Sequence, residues 1–205
     1  MTYDAEFFRR WMTGTAAAVD READRLTELD AAIGDADHGA NMRRGFAAVA
    51  AALEGEPGGT PGAVLTLAGR ELISTVGGAS GPLYGTLLRR TGKALGDAPE
   101  VAPVKLAEAL RAGVAAVARL GGAKAGDKTM LDALEPAVAA LAESLGQALP
   151  AAAEAARQGA LGTVPMVARK GRASYLGERS AGHQDPGATS AALLIGALAG
   201  AEEAR

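Results

Sequence analysis

The chain has 205 residues, of which 48% are hydrophobic but only 3% are aromatic. Its formal net charge of −3 gives no electrostatic reason to expect binding to nucleic acid or to an anionic membrane surface. It contains no cysteine, which excludes disulfides and thiolate metal sites.

The N-terminal segment MTYDAEFFRRWM carries acidic residues and no apolar signal core, so it does not resemble a secretory signal. The most apolar run, AALLIGALAGA, is well short of the ~20 residues that a membrane span needs. We therefore expect a cytoplasmic protein that makes no direct contact with membranes or nucleic acid.

Helical periodicity recurs along the whole chain, and no alternating strand pattern is found. The first helix is predicted from the spacing of apolar residues between Phe7 and Leu26. Seven more helices are predicted near residues 40–53, 61–76, 82–95, 103–120, 129–149, 151–169 and 188–203. Several begin with proline near the first turn, where its missing N–H costs nothing. The pattern favours an all-α fold of about eight helices, with residues 1–205 forming one domain.

The connections fall into two alternating classes. Those after helices 2, 4 and 6 are ordinary proline-rich turns, EGEPGGTP, GDAPEVAP and QALP. Those after helices 1, 3, 5 and 7 combine glycine with polar or charged residues, as IGDADHGAN, VGGASGP, GGAKAGDK and KGRASYLGERSAGHQDPGATS. In an up-and-down array without long crossovers, loops of one parity lie at one end. The four unusual loops are therefore expected to form a site at one rim.

Asp30, Asp35 and Asp37 are the sharpest feature of the first unusual segment. Closely packed carboxylates raise one another's pKa unless a positive charge compensates them. An all-oxygen ligand set favours Mg²⁺, Mn²⁺ or Ca²⁺ over zinc, and Mg²⁺ commonly adds substrate phosphates to a few carboxylates. The twelve-residue EF-hand loop is absent. The alternative is that these residues only cap helices and form turns.

The next residues could contact a phosphate. His38 and Asn41 are placed at the start of the second helix, where each could donate a hydrogen bond, although His38 could equally be structural. The loop Gly77–Gly81 includes Ser80 and leads into a helix, so its backbone could approach an anion closely. It lacks the ending of a Walker A loop, and a simple tight turn is the alternative.

The third loop supports a weaker interpretation. Asp127 is predicted to be an N-cap, and Lys124 and Lys128 are predicted to face solvent, with phosphate or partner contact as the alternative. Met130 could pack against an adenine ring or belong to the core.

The fourth loop is too long to be a simple turn, and long loops are often functional. Arg172 or Arg179 could pair with phosphate in a bidentate way, or lie at the surface. Its ending, HQDPGATS, resembles the first loop because a histidine, an aspartate and a glycine run into a helix.

The motifs GDADHG, GGASGPLYGT, AGDKTMLDAL and GRASYLGERSAGHQDPGATS, in this order, resemble the L-subunit family of dihydroxyacetone kinases. The resemblance extends from about residue 29 to the last helix and implies an antiparallel eight-helix barrel with ADP or ATP at one rim. It implies that Asp30, Asp35 and Asp37 hold two Mg²⁺ ions and act in catalysis together with His38. It also implies nucleotide contacts at His38, Asn41, Gly78, Ala79, Ser80, Gly121, Met130, Arg172, Asp185, Pro186 and Gly187. Family members often carry a hydroxyl residue where this chain has Ala79, which removes one side-chain contact and leaves the backbone N–H.

The resemblance also implies partners. The family's triose is bound covalently by a histidine of a separate K subunit, and an M subunit supplies phosphate from the phosphoenolpyruvate phosphotransferase system. A chain of this length without a K domain is expected to keep ADP as a bound cofactor. The alternatives are an ATP-dependent kinase subunit for another ketose or sugar acid, a regulatory module that binds a transcription factor, and, more weakly, a lipid-binding barrel.

Overall fold

The computed structural model describes residues 2–56, 58–143 and 148–203, except for the side chain of residue 143. Within these ranges, the α-helices are α1 Ala5–Ile33, α2 His38–Gly55, α3 Pro61–Thr75, α4 Ser80–Leu95, α5 Pro103–Gly121, α6 Leu131–Glu143, α7 Ala148–Gly162 and α8 Pro186–Glu203. A 3-10 helix, Arg172–Ser180, precedes α8, and two short strands, β1 Tyr3–Asp4 and β2 Glu100–Val101, complete the described elements.

The helices form a closed ring. Each helix packs against the next one in sequence, and α8 packs against both α7 and α1. This up-and-down arrangement confirms the all-α prediction and places odd-numbered connections together at one end.

No α-helix in the described ranges is both long enough and apolar enough to cross a membrane.

The N-terminus is fixed by a contact that the sequence did not indicate. Tyr3 pairs with Val101 in a two-residue antiparallel ladder between β1 and β2. The Asp4 side chain then caps α1 by accepting the Phe7 N–H at 2.9 Å. Two-residue strands are too short to show alternating hydrophobicity, so the sequence pattern gave no sign of this pairing.

The core uses the few aromatic residues of the chain where α1 enters the barrel. Phe7, Phe8 and Trp11 are fully buried. The Trp11 indole N–H donates to the Leu194 carbonyl at 2.8 Å, which joins α1 to α8 and satisfies the buried donor. Alanine, leucine and valine fill most of the remaining core, as the composition predicts.

The seventh helix ends earlier than its apolar pattern predicts. It was expected to reach Arg169 but ends at Gly162, and the Thr163 hydroxyl donates to the Ala160 carbonyl at 2.6 Å. Pro165 disfavours a helical conformation at the residue before it, so the chain leaves the helix here. The predicted end of the sixth helix, at 149, cannot be compared directly because residues 144–147 lie outside the described ranges.

Glycines allow α3 and α4 to approach each other closely. A Cβ atom built on Gly92 would lie 2.6 Å from the Gly62 carbonyl oxygen, and one built on Gly62 would lie 2.7 Å from the Gly92 carbonyl oxygen. Both contacts are with backbone, which cannot move aside as a flexible side chain can. The spacing of these two helices therefore depends on small residues at this end of the pair.

The substitution Gly92→Ala should lower the free energy of unfolding by about 1–3 kcal/mol, because the added methyl group overpacks the α3–α4 contact. Urea unfolding followed by circular dichroism measures this change. The matched control is Gly196→Ala in α8, where an added Cβ has no neighbour within 4 Å. The control should be neutral or stabilising by up to about 1 kcal/mol because alanine favours helix. Equal effects of the two substitutions would contradict the close approach.

Candidate functional site

All four unusual connections meet at one end of the barrel. They line a cavity of about 300 Å³ together with the helix ends beside them. The cavity brings together all the predicted site residues except Asn41, namely Asp30, Asp35, Asp37, His38, Gly78, Ala79, Ser80, Gly121, Met130, Arg172, Asp185, Pro186 and Gly187. The expectation that loops of one parity share a rim is therefore confirmed by the geometry.

The three aspartates form a compact acidic cluster. One carboxylate oxygen from each of Asp30, Asp35 and Asp37 lies within 4.8 Å of the other two. Asp30 is buried in the last turn of α1, whereas Asp35 and Asp37 are exposed in the α1–α2 connection. Such a set could hold a hard divalent cation, which prefers oxygen ligands and would remove the repulsion between the carboxylates.

Asp30 also holds the start of α2. Its Oδ2 accepts the backbone N–H of Asp37 at 2.9 Å and that of His38 at 3.2 Å. The connection between these residues turns through Ala36, whose φ of 62° is uncommon for a residue other than glycine. The Asp30 carboxylate thus belongs to the acidic cluster and also caps the N-terminus of α2, although Asp30 itself lies in α1.

Arg172 of the fourth connection contacts this cluster. Its Nη2 is 3.1 Å from Asp35 Oδ2. The Arg172 side chain is 63% exposed, so solvent screens this ion pair and it adds little to stability. Arg172 is therefore free to exchange Asp35 for another anion at low energetic cost. Arg179, the other candidate for a phosphate contact, is exposed and does not line the cavity.

His38 is buried, with both ring nitrogens close to hydroxyl groups. Nε2 is 2.8 Å from Ser190 Oγ, and Nδ1 is 3.3 Å from Ser80 Oγ. Burial lowers the pKa of His38 below its usual value, although the nearby carboxylates of Asp30 and Asp37 oppose that shift. The ring is therefore mainly neutral near pH 7.

Tyr84 and Ser190 extend this network, and sequence reasoning did not single out either residue. The Tyr84 hydroxyl is 2.6 Å from Ser190 Oγ and 3.1 Å from the Gly187 carbonyl. Complete burial raises the pKa of Tyr84, which keeps the phenol protonated. Tyr84 lies inside the quoted motif GGASGPLYGT, but an isolated tyrosine in a helix gives no signal of its partner 106 residues away.

Asn41 is placed beside the site rather than in its lining. Its Oδ1 accepts a hydrogen bond from Arg44 Nη2 at 2.6 Å, and its side chain packs next to Gly77. In this arrangement Asn41 packs against the glycine loop without lining the cavity.

The glycine loop ends where α4 begins. Gly78 has a φ of 65°, a left-handed conformation that glycine adopts without strain, and α4 starts at Ser80. No side chain caps this helix. The N–H groups of a first helical turn lack intrahelical partners, so this end of α4 can receive an anion.

Lys128 corrects one of the sequence predictions. It was expected to face solvent, but only 1% of its surface is exposed. Its ammonium donates to the carbonyls of Met166 at 3.0 Å, Ser180 at 2.6 Å and His183 at 2.6 Å. Those three carbonyls belong to the long fourth connection, so Lys128 fixes that connection against the third. The sequence of a glycine-rich loop gives no indication that its lysine is enclosed by three carbonyl groups. Lys124 is exposed, as predicted.

Asp127 also differs from its prediction. It was expected to cap the sixth helix, but α6 begins only at Leu131. The Asp127 carboxylate instead accepts the Lys124 N–H at 3.0 Å, which closes a local turn. Asp132 stabilises the helix start from inside, because its Oδ2 accepts the Thr129 N–H at 2.7 Å.

Asp185 is a buried carboxyl group in the lining of the cavity. Its Oδ2 caps α8 by accepting the Ala188 N–H at 2.7 Å. Burial raises the pKa of Asp185 to about 7; Asp132 and Asp30 add to the rise, while the Ala188 N–H and Lys128 oppose it. Met130 is also buried in this region, whereas His183 of the same connection is exposed.

Three comparisons bear on this site. Residues 32–200 match the family described as the DAK2 domain. The chain is 45% identical over 195 residues to the PEP-dependent dihydroxyacetone kinase, ADP-binding subunit DhaL, of Escherichia coli K12, with 92% of this chain and 93% of the relative covered. It is 41% identical over 185 residues to the L-erythrulose 1-kinase of Mycolicibacterium smegmatis, covering 87% of this chain but 32% of that protein.

The fold agrees with these sequence similarities. The crystal structure of the dihydroxyacetone kinase from C. freundii in complex with AMP-PNP and Mg²⁺ superposes with a TM-score of 0.73 and 29% identity. The aligned region covers 94% of this chain and 33% of that kinase, so the chain spans about a third of it. These relatives are kinases or kinase subunits, in agreement with the resemblance found in the motifs. The chain therefore belongs to the DAK2 domain family.

Proposed function

We propose that this chain is a single nucleotide-binding domain that serves as the ADP-binding subunit of a dihydroxyacetone kinase. The observation that carries the proposal is that the acidic cluster lines the same cavity as a glycine loop and a helix N-terminus. A nucleotide with bound metal needs both surfaces, since metal ions require oxygen ligands and phosphates require N–H donors.

Asp30, Asp35 and Asp37 are proposed to hold two Mg²⁺ ions, which would neutralise charge on the phosphates and polarise the transferred group. The donor set fits these ions because it contains only carboxylate oxygens, and Asp35 and Asp37 are open to solvent. The C. freundii dihydroxyacetone kinase, whose fold matches this chain, is described in complex with AMP-PNP and Mg²⁺.

The nucleotide is proposed to lie along the remaining lining. The α4 start, with Ala79 and Ser80, faces the phosphate side, together with Arg172. Met130 and Leu131 supply an apolar surface for a base. The rest of the wall is formed by Gly78, Gly121, Asp185, Pro186 and Gly187. The cavity of about 300 Å³ is at the lower end of the usual range for small-ligand sites.

Phosphoryl transfer requires positioning and charge neutralisation more than covalent chemistry from the protein. The chain supplies these through Asp30, Asp35, Asp37 and His38. The acceptor sugar is proposed to be carried by a separate K subunit. A separate M subunit is proposed to return phosphate to ADP, because the E. coli relative is named a PEP-dependent, ADP-binding subunit.

A second candidate function is a kinase subunit for a four-carbon ketose. The 41% identity to L-erythrulose 1-kinase favours it, since that similarity covers 87% of this chain. The two candidates share the nucleotide site and differ in the acceptor. Reconstitution with K-type partners and either dihydroxyacetone or erythrulose distinguishes them by which ketose is phosphorylated.

Replacing Asp37 with Asn should weaken binding of ADP in the presence of Mg²⁺ by at least about tenfold, because one anionic metal ligand is lost. The Asp37 side chain makes no capping hydrogen bond, so the melting temperature should change little. Isothermal titration of nucleotide-stripped protein measures the affinity with and without Mg²⁺.

The matched control for that experiment is Asp97→Asn, which removes the same charge from an exposed position in the α4–α5 connection at the opposite rim. The control should bind ADP and Mg²⁺ as the parent chain does. Unchanged Mg²⁺-dependent binding of ADP in Asp37→Asn would contradict the metal assignment. Equal weakening in both variants would show that the change in net charge, and not the loss of a metal ligand, causes the effect.

Asp185 gives a pH-dependent prediction for the metal-free, nucleotide-free chain. Its pKa is about 7 in the folded chain against an ordinary 3.8, so the folded state retains a proton that the unfolded state releases. The contribution of Asp185 to stability is therefore fully present below about pH 4 and is lost as the pH rises to about 7. Asp185→Asn keeps an acceptor for the Ala188 N–H and removes the charge.

As the pH rises from 5 to 8, the parent chain should lose about 2–3 kcal/mol of unfolding free energy that Asp185→Asn retains. Urea unfolding at both pH values, with EDTA present, measures this difference. Parallel pH profiles for the two proteins would show that Asp185 ionises normally in the folded chain.

A further inference from the structure

Ser190 Oγ lies in a group of close contacts that joins His38 to Tyr84 and to the start of α8. Ser190 Oγ is 2.8 Å from His38 Nε2, 2.6 Å from the Tyr84 hydroxyl and 3.1 Å from the Gly187 carbonyl. The Tyr84 hydroxyl is also 3.1 Å from that carbonyl. These four contacts share two hydroxyl protons and at most one proton from the neutral ring at Nε2.

Consider first a ring protonated at Nε2. His38 then donates to Ser190, one hydroxyl donates to the Gly187 carbonyl, and the other hydroxyl proton lies between Ser190 and Tyr84. Three of the four contacts become hydrogen bonds. The arrangement holds whichever of the two hydroxyls takes the carbonyl.

Consider next a ring with a bare Nε2. Ser190 must then donate to Nε2, and the 2.6 Å separation of two hydroxyl oxygens requires Tyr84 to donate to Ser190. No proton remains for the Gly187 carbonyl, so only two contacts become hydrogen bonds. The bare-Nε2 form therefore makes one hydrogen bond fewer from the same two hydroxyl groups, and this difference favours the Nε2–H form.

We infer that Ser190 is a positioning residue that holds neutral His38 as the Nε2–H tautomer and presents a bare Nδ1 toward Ser80 and the cavity. Nδ1 then accepts the Ser80 hydroxyl proton across 3.3 Å.

This inference reverses one sequence-based expectation about His38. A neutral ring whose proton is used on Ser190 cannot donate from Nδ1 to a phosphate oxygen. It can accept from Ser80 or from a donor on a bound ligand, such as a hydroxyl or a metal-bound water. The consequence for phosphoryl transfer rests on the proposed function, whereas the tautomer itself is a property of the chain without ligand.

The test is long-range ¹H–¹⁵N correlation NMR of the ¹⁵N-labelled chain at pH 8.5, without nucleotide or metal. An ordinary imidazole, with a pKa of about 6.5, is neutral there. The chain has two histidines, so His38→Gln assigns the His38 signals. We expect a pyrrole-type signal at Nε2 and a pyridine-type signal at Nδ1. The reverse pattern in the parent chain would overturn the inference without any substitution.

Two variants separate positioning from mere packing. In Ser190→Ala the Nε2 proton loses its hydroxyl acceptor, while Nδ1–H can still donate to Ser80, so the Nδ1–H fraction should rise. Tyr84→Phe is the matched control, since Ser190 can still donate to Gly187 and accept from His38, and the parent pattern should persist. An unchanged tautomer in Ser190→Ala would overturn the role of Ser190. A shift in Tyr84→Phe equal to that in Ser190→Ala would also overturn it.

The readout uses no nucleotide, so its outcome is independent of the proposed function. If the parent chain shows the expected tautomer but does not bind ADP, only the proposed function is contradicted. If it binds ADP but shows the reverse tautomer, only the role of Ser190 is contradicted.

Discussion

The carboxylate of Asp30 is the constraint on which the rest of the site depends. It lies in the last turn of α1, where the negative end of the helix dipole disfavours an anion. Its Oδ2 is stabilised there by the N–H groups of Asp37 and His38, at the positive end of α2. This contact makes the connection fold back over Asp30, which brings Asp35 and Asp37 within 4.8 Å of it. It also fixes the backbone of His38, so that the ring lies between α4 and α8.

The opposite side of the cavity is held by a buried positive charge. Lys128 donates to three carbonyls of the fourth connection, and each carbonyl gains a charge-assisted hydrogen bond. Burial lowers the pKa of Lys128, while the carboxyl of Asp185 opposes that effect. A backbone hydrogen bond from the Arg169 N–H to the Asp127 carbonyl at 3.1 Å also joins the fourth connection to the third. The 3-10 helix itself buries only Ala173 and Ser180, so it adds little to this contact. One wall is therefore organised by a carboxylate that accepts N–H groups, and the other by an ammonium that donates to carbonyls.

Much of the fold and the position of the site could be predicted from local sequence features. Apolar periodicity and N-terminal prolines report on single helices, and the alternation of loop types reports on which loops share an end. The cage around Lys128 and the Tyr84–Ser190 contact could not be predicted in this way, because each depends on partners brought together only by the closed ring. The β1–β2 pairing was missed for the same reason. Residue type shows what a side chain is able to do, whereas the fold decides which partner it meets.

The exposure of the cavity is graded, and this grading bears on how a phosphoryl group would leave it. Met130 and Leu131 at the apolar side are 5% and 1% exposed, whereas the side chains of Asp35 and Arg172 are 39% and 63% exposed. A nucleotide with its base on the buried side would present its terminal phosphate at the open rim. Water at an open rim competes with the acceptor and weakens the electrostatic contacts that transfer requires. A second protein surface that covered the rim would remove that water, which gives the proposed function a physical reason for a partner that carries the acceptor.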